Sequence, residues 1–494
     1  MQQYKRLAGQ TALYGLGTIV PRFLNYVVLT PFYTWLFSEQ QYGVYTNLYA
    51  YIVFLLILLT YGLETGYFRF TKSEDNPGKV YSTIMASLFS TTLIFLVLVM
   101  IFNPGIARLL EYPDRRHLII LFSLVVAIDA FSAVPFAKLR FEQKAKKFGY
   151  LKIFNVVANL FFNFLFYLAF PYLNGLDGTA LPLWLYDPSL GVAYVFVSNL
   201  MASFLTLVLL VPEINISLRL VDLRLLQKIL TYSLPLLVVG MAGTINEVAD
   251  KELIKRLVPD SEEPLRQLGI YGANYKLGML MTIFIQMFRY AAEPFYFSKM
   301  KDLDARDVYA RVMRYFILFG LLIFLVVMLY IDVFKYFIDE KFHSGLHIVP
   351  IILIANLFLG VNYNLSIWYK LSNLTRFGAV IAVIGAVITL AMNFILVPVY
   401  GYEGSAWATL ICYFTMMVIS YFMGRRHYKI PYHVGSIVFY LLLAIGIFMA
   451  AKFIHYPGMF YKYLFNSLFL LAFIAVIFFR EKIRLRDIKA FIRS

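Results

Sequence analysis

The chain is 494 residues long, 61% hydrophobic and 15% charged, with a formal net charge of +16. Soluble domains run at roughly 45–50% apolar and about 25% charged, so this composition excludes an ordinary soluble globule and points to a protein that crosses a membrane many times. The basic excess does not indicate nucleic acid: Lys and Arg are dispersed among the connections and form no single face, so no nucleic-acid partner is expected.

The short basic start "MQQYKRLAGQ" precedes an apolar run too long for a signal-peptide core and without an A-x-A site, so the first helix is expected to stay in the protein. Apolar runs of about 20 residues, each able to cross a hydrocarbon core of about 30 Å, recur to the end. They predict about fourteen helices: 11–36, 44–66, 81–102, 118–136, 150–170, 191–211, 234–257, 271–291, 315–336, 348–369, 379–398, 405–424, 436–454 and 461–480. The connections alternate in charge. One set is basic, from Lys5 and Arg6 through the Lys138–Lys147 group to the tail after Arg480. The other set is poor in Lys and Arg, and "FSEQQYG", "YGYEG" and 171–190 have none. The positive-inside rule then puts both termini in the cytoplasm.

The first helix carries Arg22 within "GTIVPRFLNYVVLTPFYTWLF" (17–37). It lies eleven residues in, about 16 Å deep at 1.5 Å per residue, and Asn25 is placed with it. Asp129 in the fourth helix reaches a similar depth from the other side. Ionisable groups at such depth are costly and face a partner or a wet cavity. Either Arg22 and Asp129 form a structural ion pair, or Arg22 binds an anionic substrate group or helps drive gating.

The fifth helix has a stripe of Asn155, Asn159 and Asn163 at intervals of four, suited to hydrogen bonding between helices or to lining a sugar path. The seventh, "TINEVADKELIKRL", sets Glu247 and Lys251 on one face beside Asp250. Lys276 enters from the outer end of the eighth, Arg289 and Glu293 lie near its inner end, and Glu64 closes the second. Basic groups in a water-filled cavity suit a phosphate-bearing substrate, because Arg offers a planar fork and Lys a point charge. The candidate cavity set is Arg22, Asn25, Glu64, Asp129, Glu247, Asp250, Lys251, Lys276 and Arg289.

Other chemistry is thinly represented. The single Cys412 excludes intramolecular disulfides, and His343 and His347 lack carboxylate or cysteine support, so no metal site is expected. With no P-loop and no nucleotide fold, no cofactor and no direct use of ATP are expected.

Two echoes divide the chain. "GVYTNLY" (43–49) opens the second helix and "GIYGANY" (269–275) the eighth; "GVAY" (191–194) opens the sixth and "GSAW" (404–407) the twelfth. Duplicated halves with a substrate site between them are a transporter feature. The expected fold class is an all-α polytopic membrane protein, with two pseudo-symmetric six-helix bundles around a central cavity plus two C-terminal helices. The expected domains are 1–212 and 234–424 for the bundles, 213–233 for a cytoplasmic interfacial linker, and 425–494 for the last two helices and a basic tail.

Residues 21–70, "PRFLNYVVLTPFYTWLFSEQQYGVYTNLYAYIVFLLILLTYGLETGYFRF", resemble the opening of the Wzx-type polysaccharide flippases of the multidrug/oligosaccharidyl-lipid/polysaccharide exporter superfamily. "YSLPLLVVGMAGTINEVADKELIKRL", "LGIYGANYKLGMLMTIFIQMFRYAAEPFYF" and "VPVYGYEGSAWATL" extend the likeness over nearly the whole chain. The resemblance implies two six-helix bundles around a cationic cavity. It implies export of an undecaprenyl-pyrophosphate-linked oligosaccharide across the bacterial cytoplasmic membrane for O-antigen, capsule or exopolysaccharide assembly. The family's first-helix arginine matches Arg22, and its seventh-helix acid–base pair matches Asp250 and Lys251. Membrane lipid, a coupling ion (H+ or Na+) and a polysaccharide polymerase are candidate partners. The alternatives are a lipid II flippase, whose last two helices form a groove for the lipid tail, a drug/cation antiporter, and, in another class, a membrane polysaccharide polymerase or ligase.

Overall fold

The computed structural model describes residues 2–175, 181–300, 302–372 and 374–481, with side chains of the first helix from Ile19 onward. The side chains of Lys5 and Arg6, Lys301, and the tail after Glu481 lie outside the described residues. The chain is 88% helical, with no strand among the described residues.

The helices are α1 (Gln2–Leu36), α2 (Glu39–Thr60), α3 (Leu63–Ser73), α4 (Pro77–Leu109), α5 (Arg116–Phe141), α6 (Ala145–Phe164), α7 (Phe170–Asn174), α8 (Ala193–Leu210) and α9 (Leu223–Leu257). They continue with α10 (Pro264–Lys299), α11 (Ala305–Leu329), α12 (Ile331–Phe334), α13 (Val349–Leu365), α14 (Ile367–Leu371), α15 (Arg376–His427), α16 (Val434–Phe453) and α17 (Met459–Glu481). Eleven helical segments are long and apolar enough to cross a membrane. One of them, Arg376–His427, is two helices joined at Gly401. With α1 and α10, of 35 and 36 residues, the fourteen expected crossings are accommodated.

Local chemistry sets the boundaries. Ser38 caps α2 in a reciprocal capping box with Gln41. Asn76 caps α4 ahead of Pro77, whose missing N–H costs nothing at the first helical position. The expected second helix is broken at Tyr61 and Gly62, both with positive φ (30° and 73°), which turns the chain from α2 into α3. Asp222 caps α9 by accepting from the Arg224 and Leu225 amides at 2.8 and 3.1 Å. The Lys79 ammonium, 2.6 Å away, and these amides hold the Asp222 carboxyl down to about 2. From that cap α9 runs unbroken to Leu257, so the expected seventh helix begins at Leu223, within the stretch expected as a linker, and not at residue 234.

The chain divides into two compact units, Met1–Ala273 with Ala382–Ala408, and Asn274–Ile381 with Thr409–Ser494. In the first, α4 packs on α5, α1 on α6, α8 on α5 and α6, and α2 on α5 and α9. Leu63, Ile84, Met85, Leu88, Val134 and Ile229 are buried together at one core of this unit. In the second, α11 packs on α13 and α16, and α17 lies on α16 and α11. Ion pairs join α17 to the rest of that unit, Arg314 to Glu481 at 2.6 Å and Lys462 to Asp332, and Tyr440 of α16 donates to Glu481 of α17 at 2.8 Å.

The repeated glycines meet. Within the first unit, α2 crosses the first turns of α10 at Gly43 and Gly269. A Cβ on Gly43 would lie 1.9 Å from the Leu265 carbonyl oxygen, and one on Gly269 would lie 1.8 Å from that of Glu39. Each glycine meets the carbonyl four residues upstream of the other. Thr46 fills the space over Gly272, three residues further along each helix. This reciprocity is what two equivalent helices of a duplicated fold produce on crossing about a two-fold axis.

Candidate functional site

Three of the expected residues in the first unit gather around one that sequence reading passed over. The Lys152 ammonium, on the second turn of α6, is within electrostatic reach of Asp129 and Arg140 on α5, Glu64 on α3 and Arg22 on α1. It sits 3.9 Å over the Phe136 ring. Asp129 accepts from Ser203 Oγ of α8 at 2.7 Å. Glu64 pairs with Arg140 at 2.5 Å, so that acid is committed to a neighbouring base. Lys152 is also within electrostatic reach of Asp129, and the Arg22 side chain is exposed. Asn25, one turn on, has a buried Oδ1 with no protein hydrogen bond. The five charged groups carry three positive and two negative charges, a net cationic patch built on four helices.

The asparagine stripe of α6 joins helices. Asn155 donates to Thr206 of α8 at 3.1 Å, and Asn163 accepts from Tyr33 of α1 at 2.7 Å. Asn159 accepts from Asn163 at 3.1 Å within the stripe itself.

The α9 charges form a second cluster. Asp250 is buried; its carboxylate takes the Lys251 ammonium at 2.7 Å on one oxygen and the Tyr271 hydroxyl at 2.6 Å on the other. Lys251 also donates to the Glu247 backbone carbonyl at 2.9 Å, and the Glu247 side chain is exposed. The next residue, Glu252, is the hub that sequence reading missed. It accepts from Asn47 at 2.9 Å and from Tyr51, both on α2, and from Arg256. Tyr112 donates to Asn47 at 2.9 Å, and the buried Lys255 donates to the Leu110 carbonyl. The only sequence signal for Glu252 was its i,i+4 spacing to Arg256.

In the second unit, Lys276 is half-buried and Arg289 is exposed. Arg289 pairs with Glu293 at 3.3 Å and lies 5.0 Å from the Tyr363 ring. Lys370, absent from the expected set, meets the same Glu293 oxygen at 2.5 Å. One carboxylate serving two cations leaves this group net positive. It lines a cavity of about 20 Å³, room for one water.

The family profile described as "Polysaccharide biosynthesis protein" matches residues 7–301. The chain belongs to that family. This polysaccharide biosynthesis protein is similar in fold to the lipid II flippase MurJ in an inward closed conformation, with a TM-score of 0.72 at 14% identity over 96% of this chain and 100% of the other. It is also similar to an inward-facing multidrug resistance MATE transporter of the MOP superfamily, with a TM-score of 0.62 at 14% identity over 84% and 94%. A MOP superfamily transporter from Pyrococcus furiosus, described as having a binding pocket of reversed polarity, gives 0.54 at 13% identity over 85% and 95%. No curated protein matches by sequence. The polysaccharide biosynthesis protein is a multi-pass membrane protein with the fold of these MOP superfamily transporters.

A neutral polar cage completes the picture of this family member's first unit. Asn246 of α9 donates to the Ala382 carbonyl at 3.2 Å and accepts from Thr389 at 3.2 Å. Asn393 donates to the Thr389 carbonyl at 2.7 Å and accepts from Ser405 at 2.7 Å. All four side chains are buried.

Proposed function

We propose that the chain flips an undecaprenyl-pyrophosphate-linked oligosaccharide from the inner to the outer leaflet of the bacterial cytoplasmic membrane, for assembly of a surface polysaccharide. The membership of the polysaccharide biosynthesis family supports the cargo class, and the net cationic patch of Arg22, Lys152 and Arg140 around Asp129 and Glu64 carries the reading. Arg22, with Lys251, holds the pyrophosphate through charge-assisted hydrogen bonds. Asn25 offers an unmet acceptor to a hydroxyl. The glycan crosses in a wet cavity while the polyprenyl tail stays in lipid. Transport is by alternating access. An H+ or Na+ gradient, or the membrane potential acting on these charges, gives it direction. The chain moves its cargo without making or breaking a covalent bond, and both termini lie in the cytoplasm.

A lipid II flippase is the second reading, favoured by the full-length fold match to MurJ. Depletion separates the two: loss of surface polysaccharide with intact cells supports the first, and lysis supports the second. The direct test is flipping of a fluorescent polyprenyl-pyrophosphate oligosaccharide in reconstituted vesicles. Arg22→Ala is expected to lose at least tenfold in rate at normal protein incorporation, and an unimpaired rate removes Arg22 from the mechanism.

A further inference from the structure

A second ligand site lies in the second unit, lined by none of the charged residues assigned to cargo. Ile317 of α11, Phe358 of α13, Phe414 of α15 and Val438 of α16 line a cavity of about 310 Å³, within the range of small-ligand sites, roughly 300–1,000 Å³. Its lining holds no acid, no base and no amide; the only hydroxyls are those of Tyr421 and Tyr432. Phe414, Phe422, Val434 and Val438 each leave more than 40% of their surface exposed, so the cavity opens on the face these helices turn to lipid. No described residue of α17 lines it, which sets it apart from a groove between the last two helices.

One end of the cavity is chemically different. Leu365, Tyr421 and Tyr432 also line an adjoining pocket walled by Arg425. Arg425 follows Tyr421 by one helical turn, so both lie on one face of α15. Arg426 and Lys429 are exposed beside it, and the Arg306 guanidinium stacks 4.8 Å from the Tyr428 ring. Among the described residues, none of Arg425, Arg426, Lys429 and Arg306 is in an ion pair. Several other cations of this unit do meet a carboxylate: Arg289 and Lys370 share Glu293, Arg314 meets Glu481 and Lys462 meets Asp332. An apolar slot that ends at unneutralised arginines at a membrane-water boundary has the chemistry of a lipid with a negative headgroup.

We propose that this site binds an anionic phospholipid of the bilayer, with one acyl chain in the cavity and the phosphate at Arg425 flanked by Arg426 and Lys429. A bilayer lipid fits better than the proposed cargo, because the walls offer no polar side chain to a glycan beyond the two tyrosine hydroxyls. The occupied site joins α16 to α11, α13 and α15 as a structural lipid. The inference stands independently of which glycan, if any, the chain transports.

The test is native mass spectrometry of the full chain released from detergent, with phosphatidylglycerol or phosphatidylcholine added at equal concentration. Phosphatidylglycerol is expected to be retained at least about fivefold better, the worth of one basic residue at an anionic surface. Exchanging Arg425 and Arg426 together for Gln is expected to abolish that preference; both are exposed, so folding is preserved. Val438→Trp, which fills the cavity, is expected to remove the retained lipid, with thermal unfolding as the check that the protein is intact. Equal retention of the two lipids, or phosphatidylglycerol retention unchanged in both variants, overturns the proposal. So does displacement of bound phosphatidylglycerol by equimolar undecaprenyl phosphate, which makes the slot a cargo site.

Discussion

Replacing Gly43 with Ala puts a methyl group where the Leu265 carbonyl oxygen stands, 1.9 Å away. Real Cβ atoms essentially never come within 3.0 Å of such an atom, so α2 and α10 must part by about 1 Å or more where they cross. The obstacle is backbone, and no side chain can rotate out of the way. Overpacking of this kind costs about 1–3 kcal/mol, which shifts the population with the helices crossed by about 5- to 150-fold, since 1.4 kcal/mol is about tenfold. Alanine also favours helix over glycine by about 0.5–1 kcal/mol, so a lost crossing cannot be blamed on a frayed α2. The nearby Arg266–Glu39 pair at 2.7 Å is half-exposed on the Arg side and, as a surface pair, is worth about 0–1 kcal/mol, too little to compensate. The assay uses cysteines at 39 and 266 and a short bifunctional maleimide in membranes, with the buried native Cys412 replaced by Ala. Cross-linking is expected to fall at least fivefold in Gly43→Ala, and in Gly269→Ala by reciprocity. Undiminished cross-linking in a variant of normal thermal stability refutes the reasoning.

Glu252→Gln keeps an acceptor for Asn47 and Tyr51 but leaves Arg256 only the more distant Glu111 at 3.9 Å; a loss of about 1 kcal/mol is expected as a lowered Tm in detergent. Glu481→Ala strands Arg314 and Tyr440 in a buried position, for which about 3–5 kcal/mol is expected, read as faster proteolysis in the 454–458 connection between α16 and α17. The pH dependence of the α9 cap has a definite sign. The Asp222 carboxyl is held down to about 2, against about 3.9 when unfolded, so its contribution is whole above pH 4 and is lost as pH falls through 2. Limited proteolysis within 213–222 is expected to rise over that interval, and Asp222→Asn is expected to flatten the rise.

The helices were legible because the bilayer leaves the chain little choice: apolar runs of about 20 residues must hydrogen-bond internally. Their joints were less so. The turn at Tyr61 and Gly62 is carried by two positive φ values inside an apolar run, and one glycine among 28 gives no warning of it. The repeat marked Gly43 and Gly269 as equivalent, but nothing in one dimension says that equivalent residues touch. Arg22, Asp129 and Glu64 were noticed because charge is costly in an apolar run. Lys152 escaped because it follows Lys144, Lys146 and Lys147 closely and merges with a topology signal. Lys370 escaped because a basic residue at the end of an apolar run reads as a topology signal. Glu252 was masked by the density of charge in α9, where only three-dimensional packing against Asn47 and Tyr51 singles it out.

The account rests on cations inside the first unit receiving a polyanionic headgroup, and equilibrium binding measures that most directly. Affinity for a polyprenyl-pyrophosphate disaccharide in detergent is to be compared between the native chain, Arg22→Ala and Lys152→Ala. One charge-assisted hydrogen bond is worth about 1.5–3 kcal/mol, so each variant is predicted to bind at least tenfold more weakly, and the same lipid without phosphate is predicted to bind all three alike. Unchanged affinity for the pyrophosphate lipid in both folded variants contradicts the account.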